Sequence, residues 1–198
     1  MQTIAHSNID EIFKALNTQI AAVGGESISL VVIGGTALAA MGLVSRTTKD
    51  VDVIGEFFPN EDPPHVKEIE RFPDWLIEAA EKVRRDFDLA ENWLNFGPTS
   101  QIRTGLPEEF QDRLVEKKYG DFLRIFFCDR LDQIHFKLYA SIDRGGYHVQ
   151  DLVALDPTGL ELLTASRWAL TQDVSITFKE LLKDFLSQQG YENVAEKL

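Results

Sequence analysis

Apolar residues at Ile9, Ile12, Phe13, Leu16 and Ile20 recur with a period near 3.6, which predicts an amphipathic helix. Ser7 or Asn8 can cap its start, and Gly24-Gly25 stops it. The run "SLVVIGG" then reads as a short, fully buried strand ended by two glycines, and "TALAAMG" as a short helix started by Thr36 and stopped by Gly42. "DVDVIG" alternates polar and apolar, the signature of a half-buried strand, and the Pro-rich "EFFPNEDPPH" after it is a loop. A second amphipathic helix is predicted from about Pro73 to Arg85. From Asp86 to Gly120 aromatic residues mix with turn formers and no period emerges, so most of that stretch is expected to be loop. "DFLRIFFCD" is again strand-like, with a helix from about Arg130 to Asp143 behind it and a stop at Gly145-Gly146. After the short segment "HVQDLVALD", Asp156-Pro157 is expected to cap a helix, and helical periodicity runs on to the end.

The order of elements places the chain among α/β (α+β) folds: a small mixed sheet flanked by helices, with a helical C-terminal region. The expected division is an α/β core over residues 1–128 and a mainly helical part over 129–198 that completes a cleft. With 44% hydrophobic and 26% charged residues the composition is that of an ordinary globular protein. The longest nearly uncharged run, Leu30 to Val44, is shorter than the roughly 20 residues of a membrane-spanning helix. The opening MQTIAHSNIDEI has neither the basic start nor the apolar core of a signal peptide, so a cytoplasmic location is expected. One cysteine, Cys128, allows no disulfide framework. Thirty-two acidic against twenty basic residues give a net charge of −12, which excludes a surface that grips nucleic acid non-specifically. Local basic patches remain, at Arg84-Arg85 and Lys117-Lys118, with a solvated helix face as their plainer explanation.

Charge patterning raises one question. Asp50 and Asp52 are alternate residues of a strand, so they project from one face about 6 to 7 Å apart while Val51 and Val53 face the core. At about 5 Å and an effective dielectric near 20, two such charges repel by roughly 3 kcal/mol. A hard divalent cation offsets that repulsion and brings phosphate oxygens with it, so Mg²⁺ (or Mn²⁺) carrying a nucleotide suits the pair. The Gly34-Gly35 step upstream lets backbone N–H groups approach an anion with no Cβ in the way. Thr36 either caps the following helix or lends its hydroxyl to a phosphate, and Arg46 and Lys49, in the loop before the aspartates, can steer phosphates. No second histidine or cysteine lies at metal-ligand spacing from His135, so His6, His65, His135 and His148 read as structural or exposed.

Apolar strand, Gly-Gly, short helix and D-h-D strand, in "VVIGGTALAAMG" and "TTKDVDVIG", resemble the polymerase β-type minimal nucleotidyltransferase fold. More narrowly the chain resembles the bacterial AbiEii-like toxin nucleotidyltransferases, including the MenT group. Their later lysine and aspartate motifs match "FKLYASIDR" and "VQDLVAL", which are Lys137 and Asp151 here. The resemblance implies a Mg²⁺-dependent transfer of a nucleoside monophosphate from an NTP to an acceptor hydroxyl. Asp50 and Asp52 would hold the metal, Gly34, Gly35, Thr36, Arg46 and Lys49 the nucleotide, and Lys137 the triphosphate in the same cleft. Asp151 would act as a general base, a metal ligand or the lysine's partner. It further implies the 3′ end of a tRNA as acceptor and a cognate antitoxin protein as partner. The third carboxylate of polymerase-like members has no clear counterpart, since Asp129 comes only at the end of its strand-like run. Two other readings compete: a non-catalytic nucleotide- or protein-binding module on the same fold, and a nucleotidyltransferase with a small-molecule acceptor.

Overall fold

The computed structural model describes residues 1–198, which form two compact units. The first comprises residues 1–103 and 109–129; the second comprises 104–108 and 130–198.

In the first unit the elements are α1 (Ile9–Ala22), β1 (Ile28–Ile33), α2 (Gly34–Ala40), β2 (Val51–Phe58), β3 (His65–Lys67), α3 (Asp74–Asp86), β4 (Leu94–Asn95), β5 (Val115–Lys118) and β6 (Leu123–Phe127). The short helix α4 (Gln101–Thr104) and two 3-10 turns, Gly97–Ser100 and Phe110–Arg113, lie between β4 and β5. The strands form one mixed sheet in the order β3-β2-β1-β6-β5, and β4 pairs with β2 on the same edge as β3. β1 runs antiparallel to β2 through Leu30–Ile33 and parallel to β6 through Ile28–Val32, so its middle residues Leu30, Val31 and Val32 have strand neighbours on both sides. All six residues of β1 are buried, polar Ser29 among them, which accounts for the apolar run Leu30–Ile33 in the sequence.

On one face of the sheet Ile28, Leu30, Val32, Val51, Val53, Leu123, Ile125 and Phe127 form a core with the periodic residues of α1 and with Leu76, Ala79 and Val83 of α3. The β1–β2 register slips between Val31 and Val32, leaving one extra residue, Ile54, on β2. This bulge breaks the alternation begun at Asp52. Without it Glu56 would take the aspartates' face; with it Phe57 does, and its ring packs 4.8 Å from Phe126. The first helix ends as the glycines predict: Gly24 adopts a φ of +71°, and the Gly25 N–H donates to the Ile20 carbonyl. Asn8 does not cap it, because its side chain accepts from the Ala5 N–H and donates to the Thr3 carbonyl.

The second unit holds α5 (Arg130–Asp143), α6 (Tyr147–Ala154), α7 (Gly159–Gln172), α8 (Ile176–Gln188) and α9 (Glu192–Ala195). Trp168 organises it. Its ring meets His135, Phe136 and Tyr139 of α5, and its indole N–H donates to the Gly105 carbonyl at 3.0 Å, tying the 104–108 segment to this unit. The segment "HVQDLVALD" is helical as α6, and the Asp156-Pro157 cap expected for α7 is not used. Thr158 caps instead, in a reciprocal box with Glu161, because Asp156 is turned into a left-handed conformation at φ +46°. No helix is long and apolar enough to cross a membrane.

Glu161 also receives two hydrogen bonds from Arg130, whose guanidinium bonds the Leu155 and Asp156 carbonyls as well. The Arg130 and Thr158 hydrogen bonds hold the Glu161 carboxyl down to about 2, against 4.5 for the ordinary group. A depressed carboxyl contributes stability above its unfolded pKa and loses it as pH falls through the folded one. Melting temperature should therefore drop between pH 4.5 and about 2, and Arg130→Gln should flatten that part of the profile by thermal melts across pH.

Candidate active site

β2 begins at Val51, so Asp50 sits on its lead-in and Asp52 is its second residue; both are half-buried. Across the β1–β2 ladder Asp52 pairs with Ile33, the last residue before the glycines. That register brings the Gly-Gly step and the aspartates to the same end of the sheet. α2 starts at Gly34 itself, so the expected glycine turn is the first turn of the helix. Gly34 has a φ of +71°, and a Cβ there would lie 2.9 Å from Asp52 Oδ2. A Cβ on Gly35 would lie 3.1 Å from an Arg46 guanidinium nitrogen and 3.2 Å from Thr48. The glycines thus give clearance to the side chains around the carboxylates.

Thr36 is buried, and its hydroxyl donates to the Asp50 carbonyl at 2.6 Å. Thr36 thus ties α2 to the start of β2 and does not cap the helix, which begins at Gly34. Thr48 donates to Asp50 Oδ1 at 2.9 Å, and Asn95 Nδ2 donates to Asp52 Oδ1 at 3.2 Å. Each carboxylate therefore receives a hydrogen bond from a neutral donor. Thr48 carries a weak sequence signal, since it stands two positions before Asp50 in "TTKDVD". Asn95 carries none: 43 positions separate it from Asp52, and only the two-residue strand β4 brings it across. Arg46 is half-buried with a guanidinium N–H on the Thr47 carbonyl at 3.3 Å, and Lys49 is exposed.

No group of three or more His, Cys, Asp or Glu side chains is arranged to hold a metal. Two carboxylates suit Mg²⁺, which commonly takes one or two protein carboxylates and fills its octahedron with phosphate oxygens and water. The donor set of Asp50 and Asp52, with the Gly34 cradle beside Asp52 Oδ2, fits that chemistry.

In the second unit Lys137 of α5 and Asp151 of α6 form an ion pair of 2.8 Å, with side chains only 5% and 2% exposed. The Tyr147 ring lies 5.8 Å from the Lys137 ammonium. Asp151 lies within α6, well past its first residue Tyr147, so it is the lysine's partner and not a helix cap. His135 and His148 are both buried; His135 bonds the Leu131 carbonyl through Nδ1 and stacks edge-on against Trp168. Of the sequence's two basic pairs, Arg84 and Arg85 both pair with Glu81, and Lys117 pairs with Asp10.

Gly34→Ala is expected to cost ~1–2 kcal/mol from the left-handed backbone alone. It should also lower divalent-ion binding more than Gly35→Ala does, because its Cβ would lie 2.9 Å from a carboxylate oxygen of Asp52 itself, whereas that of Gly35 would lie 3.1–3.2 Å from the neighbouring Arg46 and Thr48 side chains. Mn²⁺ titration of the two folded variants compares them.

The family model described as "Nucleotidyltransferase of unknown function (DUF6036)" matches residues 9–185. No curated protein and no solved structure matches the chain.

Proposed function

The chain belongs to this DUF6036 family of nucleotidyltransferases, and on that premise we propose that it transfers a nucleoside monophosphate from an NTP to an acceptor hydroxyl in a Mg²⁺-dependent reaction. The observation that carries the proposal is the Asp50/Asp52 pair, with each carboxylate oriented by its own donor and Asp52 seated against a glycine that has no Cβ. When bound, the divalent ion supplies charge neutralisation on the phosphates during transfer. The chain's own residues hold and orient. Thr48 fixes Asp50, Thr36 fixes the backbone carrying it, and Arg46 and Lys49 offer positive charge on the loop leading to the aspartates. Lys137 and Asp151 pair with each other inside the second unit; by the likeness to the AbiEii-like enzymes we assign the lysine to the triphosphate and the aspartate as its counter-ion.

By the likeness to AbiEii-like and MenT-type toxins, the acceptor we propose is the 3′ end of a tRNA, the partner an antitoxin protein and the compartment the cytoplasm. Labelled NTPs offered with total RNA, protein and small molecules in parallel test the acceptor; label on RNA alone is expected. Label on a small molecule or a protein would overturn the tRNA assignment, and no transfer under any condition would favour the binding-module reading. The net charge of −12 leaves little excess positive charge for RNA. Three or four phosphate contacts give a log–log salt slope of about −2 to −3 for single strands. A salt series at fixed Mg²⁺ measures it, and a slope steeper than about −6 would require a basic surface of another kind.

A further inference from the structure

We infer that Asn95 is the positioning residue of the Asp52 carboxylate and thereby sets the divalent-cation affinity of the Asp50/Asp52 centre. The inference rests on the metal reading of those two aspartates. β4 consists of Leu94 and Asn95 alone, and it runs parallel to β2 with Asn95 directly beside Asp52. Asn95 Nδ2 donates to Asp52 Oδ1 at 3.2 Å and to the Val51 carbonyl at 3.3 Å. Its Oδ1 accepts the Gly97 N–H at 3.0 Å. That last bond decides the orientation of the amide. Only the oxygen can accept from a backbone N–H, so the NH₂ group must face Asp52.

Asp52 is therefore held from two sides. Asn95 takes Oδ1, and Gly34 stands so close to Oδ2 that a Cβ would lie 2.9 Å away. A metal-ligating carboxylate free to rotate loses affinity through the order it must acquire on binding, whereas one fixed by an outer partner does not. A neutral amide does this without placing a third negative charge next to Asp50 and Asp52. The strand beside β2 is only about 4.8 Å away, so the residue at position 95 decides how many carboxylates the centre has.

Two substitutions separate the positioning role from a merely structural one. Asn95→Asp keeps an acceptor for the Gly97 N–H but replaces the donor to Asp52 with a like charge. Asn95→Ala removes both. The experiment is Mn²⁺ titration of the full chain by calorimetry, with thermal melts of each variant with and without Mn²⁺, and with Asp50→Asn and Asp52→Asn as controls. Asn95→Ala is expected to bind Mn²⁺ about tenfold or more weakly. Asn95→Asp is expected to melt lower than the wild type without metal and to show a larger Mn²⁺-induced rise, since an added carboxylate oxygen becomes a ligand. If Asn95→Ala binds within about twofold of the wild type, or Asn95→Asp behaves like the wild type in both measurements, Asn95 merely supports the Gly97 turn and the inference fails while the metal reading stands. If the wild type binds no Mn²⁺, or Asp52→Asn binds it unchanged, the metal reading falls and this inference falls with it.

Discussion

Asp50→Asn and Asp52→Asn are each expected to lower the transfer rate by on the order of a thousandfold, about 4 kcal/mol of transition-state stabilisation, with the fold intact. The substitution is isosteric where it matters for structure. An amide at position 50 can still accept from Thr48, and one at position 52 from Asn95, because both bonds are received by a side-chain oxygen. What disappears is negative charge on two half-buried side chains at the start of β2, the charge that a divalent ion would neutralise. Melting temperature should thus hold or rise in the absence of metal, and the rise produced by adding Mg²⁺ should vanish. Transfer assays and melts on the same preparations check both halves. A double variant, with both aspartates replaced by asparagine, that still transfers would exclude the pair from the chemistry.

The second large effect is on stability. Lys137→Met should destabilise the protein by about 3–5 kcal/mol, because it takes away the ammonium that Asp151 contacts while that carboxylate stays buried, with 2% of its side chain exposed. For a chain of this size that is a fall of roughly 10 °C or more in melting temperature. From the sequence alone the same change keeps the stem, drops the charge and is expected to raise the apparent KM for NTP. Burial against a carboxylate makes it a folding substitution as well. Lys137→Met with Asp151→Asn should recover much of the lost stability, since neither charge then remains buried, and the two effects are strongly non-additive because the residues are in contact. The proposed triphosphate role requires that this recovered protein still lack transfer activity. Denaturant melts of the two singles and the double measure the coupling; an active, stable double variant would reduce the pair to a structural device.

What the sequence determined by itself was local and periodic. The α1 period, the apolar run of β1 and the Gly24 stop each depend on residues within a few positions of one another. The strand carrying Asp52 was legible for the same reason, whereas Asp50 falls just before its first residue Val51, where alternation no longer sets its direction. The helix from Arg130 to Asp143 was legible in its bounds but not in its surroundings: buried Asp132, Gln133, His135 and Lys137 give it polar residues where periodicity expects an outer face. Those the tertiary structure decided. Thr36, read as a cap, is claimed by the Asp50 carbonyl fourteen positions away; Thr158 replaces Asp156 as the α7 cap because of the left-handed turn before it. Asn95 gives no periodic signal at all in a stretch that reads as loop, yet β4 sets it beside Asp52. The physical reason is common to these cases. Periodicity records which side of an element avoids water, whereas a hydrogen-bond donor finds its acceptor through strand register and helix packing, which join residues far apart in the chain and leave no trace in local spacing.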